Sequence, residues 1–228
     1  MPNKSGLPSK FTIDGISYRR HAGGVIEQIN PGDYVYDKNY IAASYETYPK
    51  EKITACAILR FGLVLQALDN ESNKLHMLLD YGYGNGAFLR AAVAHSSVAA
   101  HGLEINGWPI PEGATEVFDP QTIEWDTVCF FDVAEHIPNL AAVLVSLKTK
   151  RLIISLPWCH ADELGLDWFK TWKHRKPGEH IWHFNPLSLT GALAHFGYAV
   201  DYFGNPEDAV RTGVDSLPNI LTVIAHRR

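Results

Sequence analysis

A glycine-rich segment at residues 80–86 (DYGYGNG) holds the residue types of this 228-residue chain that most clearly suggest chemistry. An apolar stretch at residues 75–81 precedes it and a helical pattern at residues 87–95 follows it, so the segment joins a buried strand to a helix. Glycine permits a tight turn and lets a ligand approach the backbone, and the helix start offers unpaired N–H groups. Glu104 ends the next predicted strand, where a carboxylate can accept both hydroxyls of a ribose. The arrangement predicts a site for a nucleoside-containing ligand.

Two nucleoside cofactors fit this loop. Gly82, Gly84 and Ala87 satisfy the G-x-G-x-x-G/A pattern of nicotinamide dinucleotide sites, and Glu104 lies at a suitable distance. S-adenosylmethionine (SAM) carries an ammonium and a sulfonium, which the carboxylate of Asp80 beside the loop would attract, whereas a pyrophosphate would be repelled. The loop therefore favours SAM, and a nicotinamide-dependent oxidoreductase is the alternative.

Three histidines are candidates for acid–base chemistry. His136 follows the apolar stretch 125–131, at the edge where open α/β sheets bind ligands, and is the first candidate for a general base. The alternative is that Glu135 and His136 only stabilise the loop. His180 and His183 come second, and their i, i+3 spacing would suit a metal ion. Because no third ligand is evident beside them, no metal site is predicted.

The elements that position these residues follow from the apolar pattern. Unalternating apolar stretches separated by helical patterns, as over residues 75–156, predict parallel strands covered on both faces. A final pair of strands is predicted at 198–203 and 220–225, and a helix at 50–68 precedes the first parallel strand. Residues 1–33 predict an irregular or hairpin-like arm with short strands. The five predicted parallel strands are 75–81, 98–104, 114–118, 125–131 and 151–156.

Two further segments identify a family. Residues 130–138 read FFDVAEHIP, and residues 179–189 read EHIWHFNPLSL. Together with the glycine loop and Glu104, they resemble class I SAM-dependent methyltransferases, in the branch that is similar to ubiquinone-biosynthesis and sugar methyltransferases. The resemblance covers roughly residues 50–228.

The resemblance implies a Rossmann-like, doubly wound α/β fold with seven strands in the order 3-2-1-4-5-7-6 and strand 7 antiparallel. It implies an N-terminal arm or cap, residues 1–49, and a methyltransferase domain, residues 50–228. The helix expected after Glu104 is interrupted by Gly107, Pro109 and Pro111, so that crossover is abbreviated.

The resemblance also assigns SAM contacts. The glycines of the loop would line the methionine portion, Glu104 would hold the ribose, and Ile105 would lie against the adenine. Asp119 would be an acid on the adenine side, and a tyrosine of the N-terminal segment would reach the SAM carboxylate. The complete implied set is Asp80, Tyr81, Gly82, Gly84, Gly86, Glu104, Ile105, Asp119, Asp132, Val133 and one of Tyr36, Tyr40 and Tyr45.

The net charge and the absence of one motif restrict the class of methyl acceptor. The formal net charge is -5 and basic residues cluster only at residues 170–176, which disfavours nucleic acid as a substrate. The (D/N)PP(Y/F) segment of many amino-methylating enzymes is absent after the fourth strand. The sequence therefore predicts a small-molecule or glycan-like acceptor, with a non-catalytic SAM-binding subunit as a further alternative. No feature indicates an oligomeric state.

Cysteine usage and hydropathy predict the compartment. Cys56, Cys129 and Cys159 are far apart and form no CxxC pair, as is typical of a reducing cytoplasm. The first residues lack the apolar stretch of a signal peptide, and no apolar run reaches the roughly 18 residues of a membrane helix. We expect a cytoplasmic protein without a membrane partner.

Overall fold

A seven-stranded sheet forms the centre of the computed structural model, which describes residues 7–32, 34–37, 40, 48–66, 74–213 and 216–228. Its strands are β4 (His76–Tyr81), β5 (Val98–Leu103), β6 (Thr115–Glu116), β7 (Glu124–Phe131), β8 (Lys148–Pro157), β10 (Tyr198–Gly204) and β11 (Ile220–Arg227). Their order in the sheet is β10-β11-β8-β7-β4-β5-β6, and β11 alone runs opposite to the other six. Counted along the chain within this sheet and read from β6, that is the order third, second, first, fourth, fifth, seventh, sixth.

Helices cover both faces of this sheet. Leu78 and Leu79 are adjacent in β4 yet belong to opposite cores, and Phe130 and Phe131 in β7 do the same. This explains why the strands lack an alternating pattern, because both of their faces are buried. The described helices are α1 (Lys50–Leu65), α2 (Ala87–Val93), α3 (Leu140–Ser146), α4 (Ala161–Leu164), α5 (Leu166–Thr171) and α6 (Pro186–His195). The core with Leu78 includes α1 and α2, and the core with Leu79 includes α3 and α6.

The predicted Rossmann-like α/β fold is confirmed, with one addition. A second, antiparallel sheet has the order β1-β2-β3-β9, from β1 (Lys10–Ile13), β2 (Ile16–Arg20), β3 (Ile26–Gln28) and β9 (Trp182–His183). Asp14 and Gly15 join β1 to β2 with φ of 52° and 81°, as a two-residue hairpin turn requires. The hairpin-like character of the N-terminal arm is thereby confirmed.

The second sheet packs on the segment that follows β8. Tyr18 and Ile26 share a buried cluster with Cys159, Ala161 and Phe169. Residues 158–181 therefore form short helices and loops beside the N-terminal sheet, and β9 then joins that sheet. The division of the chain at residue 49 stays a prediction.

The crossover between β5 and β6 is abbreviated as expected. Residues 104–114 contain no helix, and β6 has only two residues where a strand over 114–118 was predicted. Phe118 is 82% exposed, so this edge lacks the apolar cover that a longer strand would need.

Among the described residues, no helix combines the length and apolar character needed to cross a bilayer.

Candidate functional site

The glycine loop joins β4 to α2 and needs its glycines. Gly82, Gly84 and Gly86 have φ of 78°, 54° and 72°, in the left-handed region that other residues rarely adopt. A Cβ on Gly82 would lie 2.6 Å from Cγ2 of Val133, and one on Gly86 would overlap Pro111. The loop is therefore pressed against the turn after β7 on one side and the crossover on the other.

Glu104 is fixed to this loop through its carboxylate. Its Oε2 accepts a hydrogen bond from the Gly84 N–H at 2.6 Å, and its Oε1 accepts from Ile105 N–H at 2.7 Å and Asn106 N–H at 3.2 Å. These three bonds use three of the roughly four acceptor sites of the carboxylate, and Oε2 keeps a further lone pair that can accept from a ribose hydroxyl. The predicted ribose-binding acid thus lies beside the predicted loop.

Two cavities open along the carboxyl ends of the parallel strands. The first, of about 450 Å³, is lined by Glu104, Ile105 and the glycine loop, and by Tyr34 and Tyr36 of the N-terminal segment. The second, of about 490 Å³, extends over α1, the start of α2 and residues 173–180. The residues that line both cavities are Tyr40, Gly82, Phe131, Asp132 and His136. The two spaces therefore meet above the ends of β4 and β7.

Asp132 is held at this junction by two arginines. Arg60 donates to its Oδ2 at 2.6 Å, and Arg211 donates to its Oδ1 at 2.9 Å. Glu207, which is fully buried, accepts from both guanidinium groups. Burial opposes ionisation, but Arg211 and Arg60 hold the pKa of Asp132 well below its ordinary value. Asp132 is therefore a fixed carboxylate whose oxygens are already paired.

Asp80 differs from Asp132 in its protonation. It is only 2% exposed, at the end of β4, and it lines the second cavity. Burial raises the pKa of Asp80 to about 7, and the positive charge of Arg60 opposes that shift. Its carboxyl group is consequently poised to ionise when a cationic group binds near it.

His136 and His180 come together at the cavities. Their ring centroids are 4.6 Å apart in an edge-to-face arrangement. His136 Nδ1 lies 2.8 Å from the Tyr36 hydroxyl and 3.0 Å from the Glu179 carbonyl oxygen. Burial lowers the pKa of His136, and burial also lowers the pKa of His180, so both rings are neutral near pH 7.

His183 does not join them. It is 2% exposed, its ring packs against Phe169 and Trp172, and it lines neither cavity. The reason is the extended backbone of β9, which turns neighbouring side chains to opposite faces. The geometry places His183 in the N-terminal core, away from the position that a catalytic residue needs.

Of the remaining residues predicted to contact SAM, some line the cavities and others do not. Tyr81 and Val133 line the first cavity, and Tyr40 donates a hydrogen bond to Glu179 Oε1 at 3.0 Å. Asp119 precedes a 3₁₀ turn and lines neither cavity. Tyr45 lies outside the described residues.

Sequence reasoning missed the two arginines. Arg60 stands in the helix α1, where one charge among apolar residues was the available signal, and Arg211 lies in the loop before β11, which carries no motif. It also found no third group beside His180. The structure brings Glu135, His136 and His180 together, with one ligand-capable atom from each within 4.8 Å of the others.

The comparisons with known proteins agree with this geometry. A family model described as "Methyltransferase domain" matches residues 54–202, and no curated protein matches the chain by sequence. A chain from the Haloferax volcanii complex of the Trm112 methyltransferase activator with a methyltransferase superposes with a TM-score of 0.56 and 11% identity, over 85% of this chain and 99% of that one.

A second neighbour is magnesium protoporphyrin IX methyltransferase from Synechocystis PCC 6803 with bound S-adenosylhomocysteine (SAH). Its TM-score is 0.53 and its identity 18%, over 83% of this chain and 92% of that one. The N-terminal domain of EvdMO1 with SAH bound has a TM-score of 0.50 and 14% identity, over 75% of this chain and 81% of that one. At these identities the likenesses show the fold. The family match covers well over half of the chain and decides against the nicotinamide alternative. The chain belongs to the methyltransferase-domain family and is a methyltransferase that uses SAM.

Proposed function

We propose that this methyltransferase transfers the methyl group of SAM to a small-molecule or glycan-like acceptor that binds in the second cavity. The junction of the two cavities at Gly82, Asp132 and His136 carries the proposal, because cofactor and acceptor would lie side by side there. Cavities of about 450 and 490 Å³ are within the range of about 300–1,000 Å³ typical of small-ligand sites.

The residues of the first cavity fit SAM. The Glu104 carboxylate would accept the ribose hydroxyls, and Ile105, which is 76% exposed, would lie against the adenine. The backbone of the loop at Gly82 and Gly84, which lines this cavity, would hold the methionine portion. Asp80 lines the second cavity beside Gly82, where the two cavities meet, and from there it would face the positive charges of the methionine end, which would lower its raised pKa.

The chain's own residues then have to position the acceptor. SAM supplies an activated methyl group when it is bound, so the protein contributes alignment and the exclusion of water. His136 lies at the junction as a neutral imidazole, and its Nδ1 is engaged by the Glu179 carbonyl oxygen. Its Nε2 is therefore the atom that would meet a proton of the acceptor, as the predicted general-base role requires.

Charges in the second cavity indicate the kind of acceptor. Arg60 and Arg211 are paired with acids, and Lys176 is paired with Glu179 at 2.8 Å. Lys173 also lines this cavity, and no carboxylate of the described residues lies within ion-pair distance of it. Burial lowers the pKa of Lys173. An acceptor with oxygen-rich or anionic groups, such as a sugar derivative, would complement this lysine.

The basic cluster at 170–176 supports a small acceptor over nucleic acid. Lys170 and Arg175 both pair with Asp14, at 3.7 and 2.8 Å. Since Lys176 is bound to Glu179 and Lys173 lines the cavity, the cluster offers little free charge to a phosphate backbone.

The predicted cytoplasmic location stays a prediction. The three cysteines are free and buried.

The test is methyl transfer from radiolabelled SAM to a cell extract divided into a small-molecule filtrate, a nucleic-acid fraction and a protein fraction. We expect label in the filtrate with the parent enzyme. Lys173→Met should reduce that label about tenfold or more while SAH affinity stays unchanged, because a lost charged hydrogen bond is worth about 1.5–3 kcal/mol. Lys148→Met, at the amino end of β8 and outside the lining of both cavities, is the matched control. Label only in nucleic acid or protein, or none in any fraction, would contradict the proposal.

A further inference from the structure

Glu135, His136 and His180 form a compact group at the edge of the second cavity. Glu135 and His136 belong to the 3₁₀ turn after β7, and His180 comes from the loop before β9. One carboxylate oxygen or imidazole nitrogen from each lies within 4.8 Å of the others, and all three residues line the cavity. Two imidazoles and one carboxylate from distant parts of the chain thus lie close together.

The polar atoms of this group are unsatisfied. Glu135 is 1% exposed, and within the described chain neither of its carboxylate oxygens accepts a hydrogen bond from a group outside the residue's own backbone. His180 is 4% exposed, and its Nδ1 also lacks a partner among those residues. Most buried polar groups in native proteins are hydrogen-bonded, and an unpaired one costs about 1–3 kcal/mol. Three such atoms around one point indicate that a ligand completes the site.

The hydrogen bonds of His136 leave it ready to bind a cation. The Glu179 carbonyl oxygen, 3.0 Å from Nδ1, can only accept, so Nδ1 carries the proton. The lone pair is then on Nε2, which lies 3.8 Å from Glu135 Oε1. A histidine that binds a metal usually donates its other N–H to a carbonyl or carboxylate in this way.

We propose that Glu135, His136 and His180 bind one divalent first-row transition-metal ion of the zinc class, with an open coordination position toward the second cavity. Two imidazole nitrogens and one carboxylate oxygen form a donor set that suits Zn²⁺ and related ions. In a tetrahedral site with bonds of about 2.1 Å the ligand atoms are about 3.4 Å apart. The observed spread of up to 4.8 Å therefore needs small side-chain rotations only.

The open position has a consequence for catalysis, and this step rests on the proposed function. It lies where the acceptor's reacting group would meet the cofactor, beside Asp132 and Gly82. A hydroxyl oxygen bound to the ion would lose its proton to solvent water more readily, because the ion would stabilise the alkoxide. That oxygen would then form its bond to the methyl carbon as the bond between this carbon and the SAM sulfur breaks, which would leave SAH. The imidazoles would then act on the acceptor through the ion and not as free bases.

The experiment uses the full chain, freed of metal with a chelator and then titrated with ZnCl₂ in a calorimeter without SAM or acceptor. Co²⁺ serves as a second probe, since its visible absorption reports a tetrahedral site. We expect one equivalent of metal to bind, and Glu135→Gln and His180→Gln each to weaken the affinity about tenfold or more. His226→Gln, which alters an exposed histidine–aspartate pair, is the matched control and should bind as the parent does.

Folding and cofactor binding are checked separately. Each variant is titrated with SAH, whose unchanged affinity shows that the fold and the SAM site are intact. ZnCl₂ should raise the melting temperature of the parent and not that of Glu135→Gln. No metal binding by a parent that binds SAH would overturn the metal site and leave the proposed function standing. Binding that both ligand variants retain would overturn it as well.

Discussion

Replacing Gly82 with alanine should weaken both folding and SAH binding, because the glycine loop and the turn after β7 leave no room for a methyl group. The φ of 78° at Gly82 lies in the left-handed region. The added Cβ would lie 2.6 Å from Cγ2 and 3.1 Å from Cγ1 of Val133, which lines the same cavity as the loop. The substitution therefore disturbs the backbone and the packing at one position.

The expected loss of stability is the sum of a backbone cost and a packing cost. A left-handed conformation costs a residue with a side chain about 1–2 kcal/mol, and overpacking costs about 1–3 kcal/mol. We expect the free energy of unfolding to fall by about 2–5 kcal/mol and SAH affinity to fall about tenfold or more. Val133→Ala removes both methyl groups and leaves its Cβ at 3.4 Å, an ordinary contact. The double variant should thus recover about 1–3 kcal/mol of the loss.

The assay is a double-mutant cycle with urea unfolding and SAH calorimetry on the parent, Gly82→Ala, Val133→Ala and the double variant. Gly15→Ala is the control, because its φ is 81° and no atom lies within 4 Å of the added Cβ. It should lose only the backbone term, and Val133→Ala should not change that loss. Additive effects of Gly82→Ala and Val133→Ala would refute the contact as the cause.

Three further predictions address the carboxylates. Glu104→Gln should lower SAH affinity about 10- to 100-fold by calorimetry, since a hydrogen bond to a charged group is worth about 1.5–3 kcal/mol, and unchanged affinity would exclude Glu104 as the ribose acid. Asp80 has a folded pKa of about 7, above its ordinary 3.8, so the parent should lose stability as the pH rises from about 4 to 7. Asp80→Asn should lack that slope and gain up to about 4 kcal/mol at pH 8 in urea unfolding, whereas parallel pH profiles would contradict the raised pKa. Glu207→Gln should lower the free energy of unfolding by about 3–5 kcal/mol, because Arg60 and Arg211 lose a buried charged partner. An unchanged free energy of unfolding would show that Asp132 alone balances the two arginines.

The meeting of the glycine loop with Glu104 could be predicted because its information is local, whereas their contact with SAM stays a prediction. Residues 80–86 run from the end of β4 to the start of α2, and Glu104 directly follows β5, the strand that pairs with β4, so apolar pattern and glycine spacing place them together. The same local signals predict the parallel strands and the short strands of the N-terminal arm. Such elements need no knowledge of distant contacts.

The grouping of side chains at the second cavity could not be predicted in the same way. The spacing of His180 and His183 suggested a pair, yet β9 is extended and turns His183 into the N-terminal core. His180 instead meets His136 and Glu135 from the end of β7. Asp132 is likewise paired by Arg60 and Arg211, which lie far away in the sequence, and no local pattern reveals that pairing.

The N-terminal segment explains why the family alone does not define the acceptor. Ile26 and Glu27 of β3 pair with β9, and the side chain of Gln28 accepts from the Gly178 N–H at 2.9 Å, which fixes the loop that carries His180. Tyr36 contacts His136 and Tyr40 contacts Glu179. These residues precede the segment at 54–202 that the family model matches. The family's own part of the chain therefore supplies the glycine loop and the strand ends, whereas residues that precede it contact His136, Glu179 and the loop that carries His180.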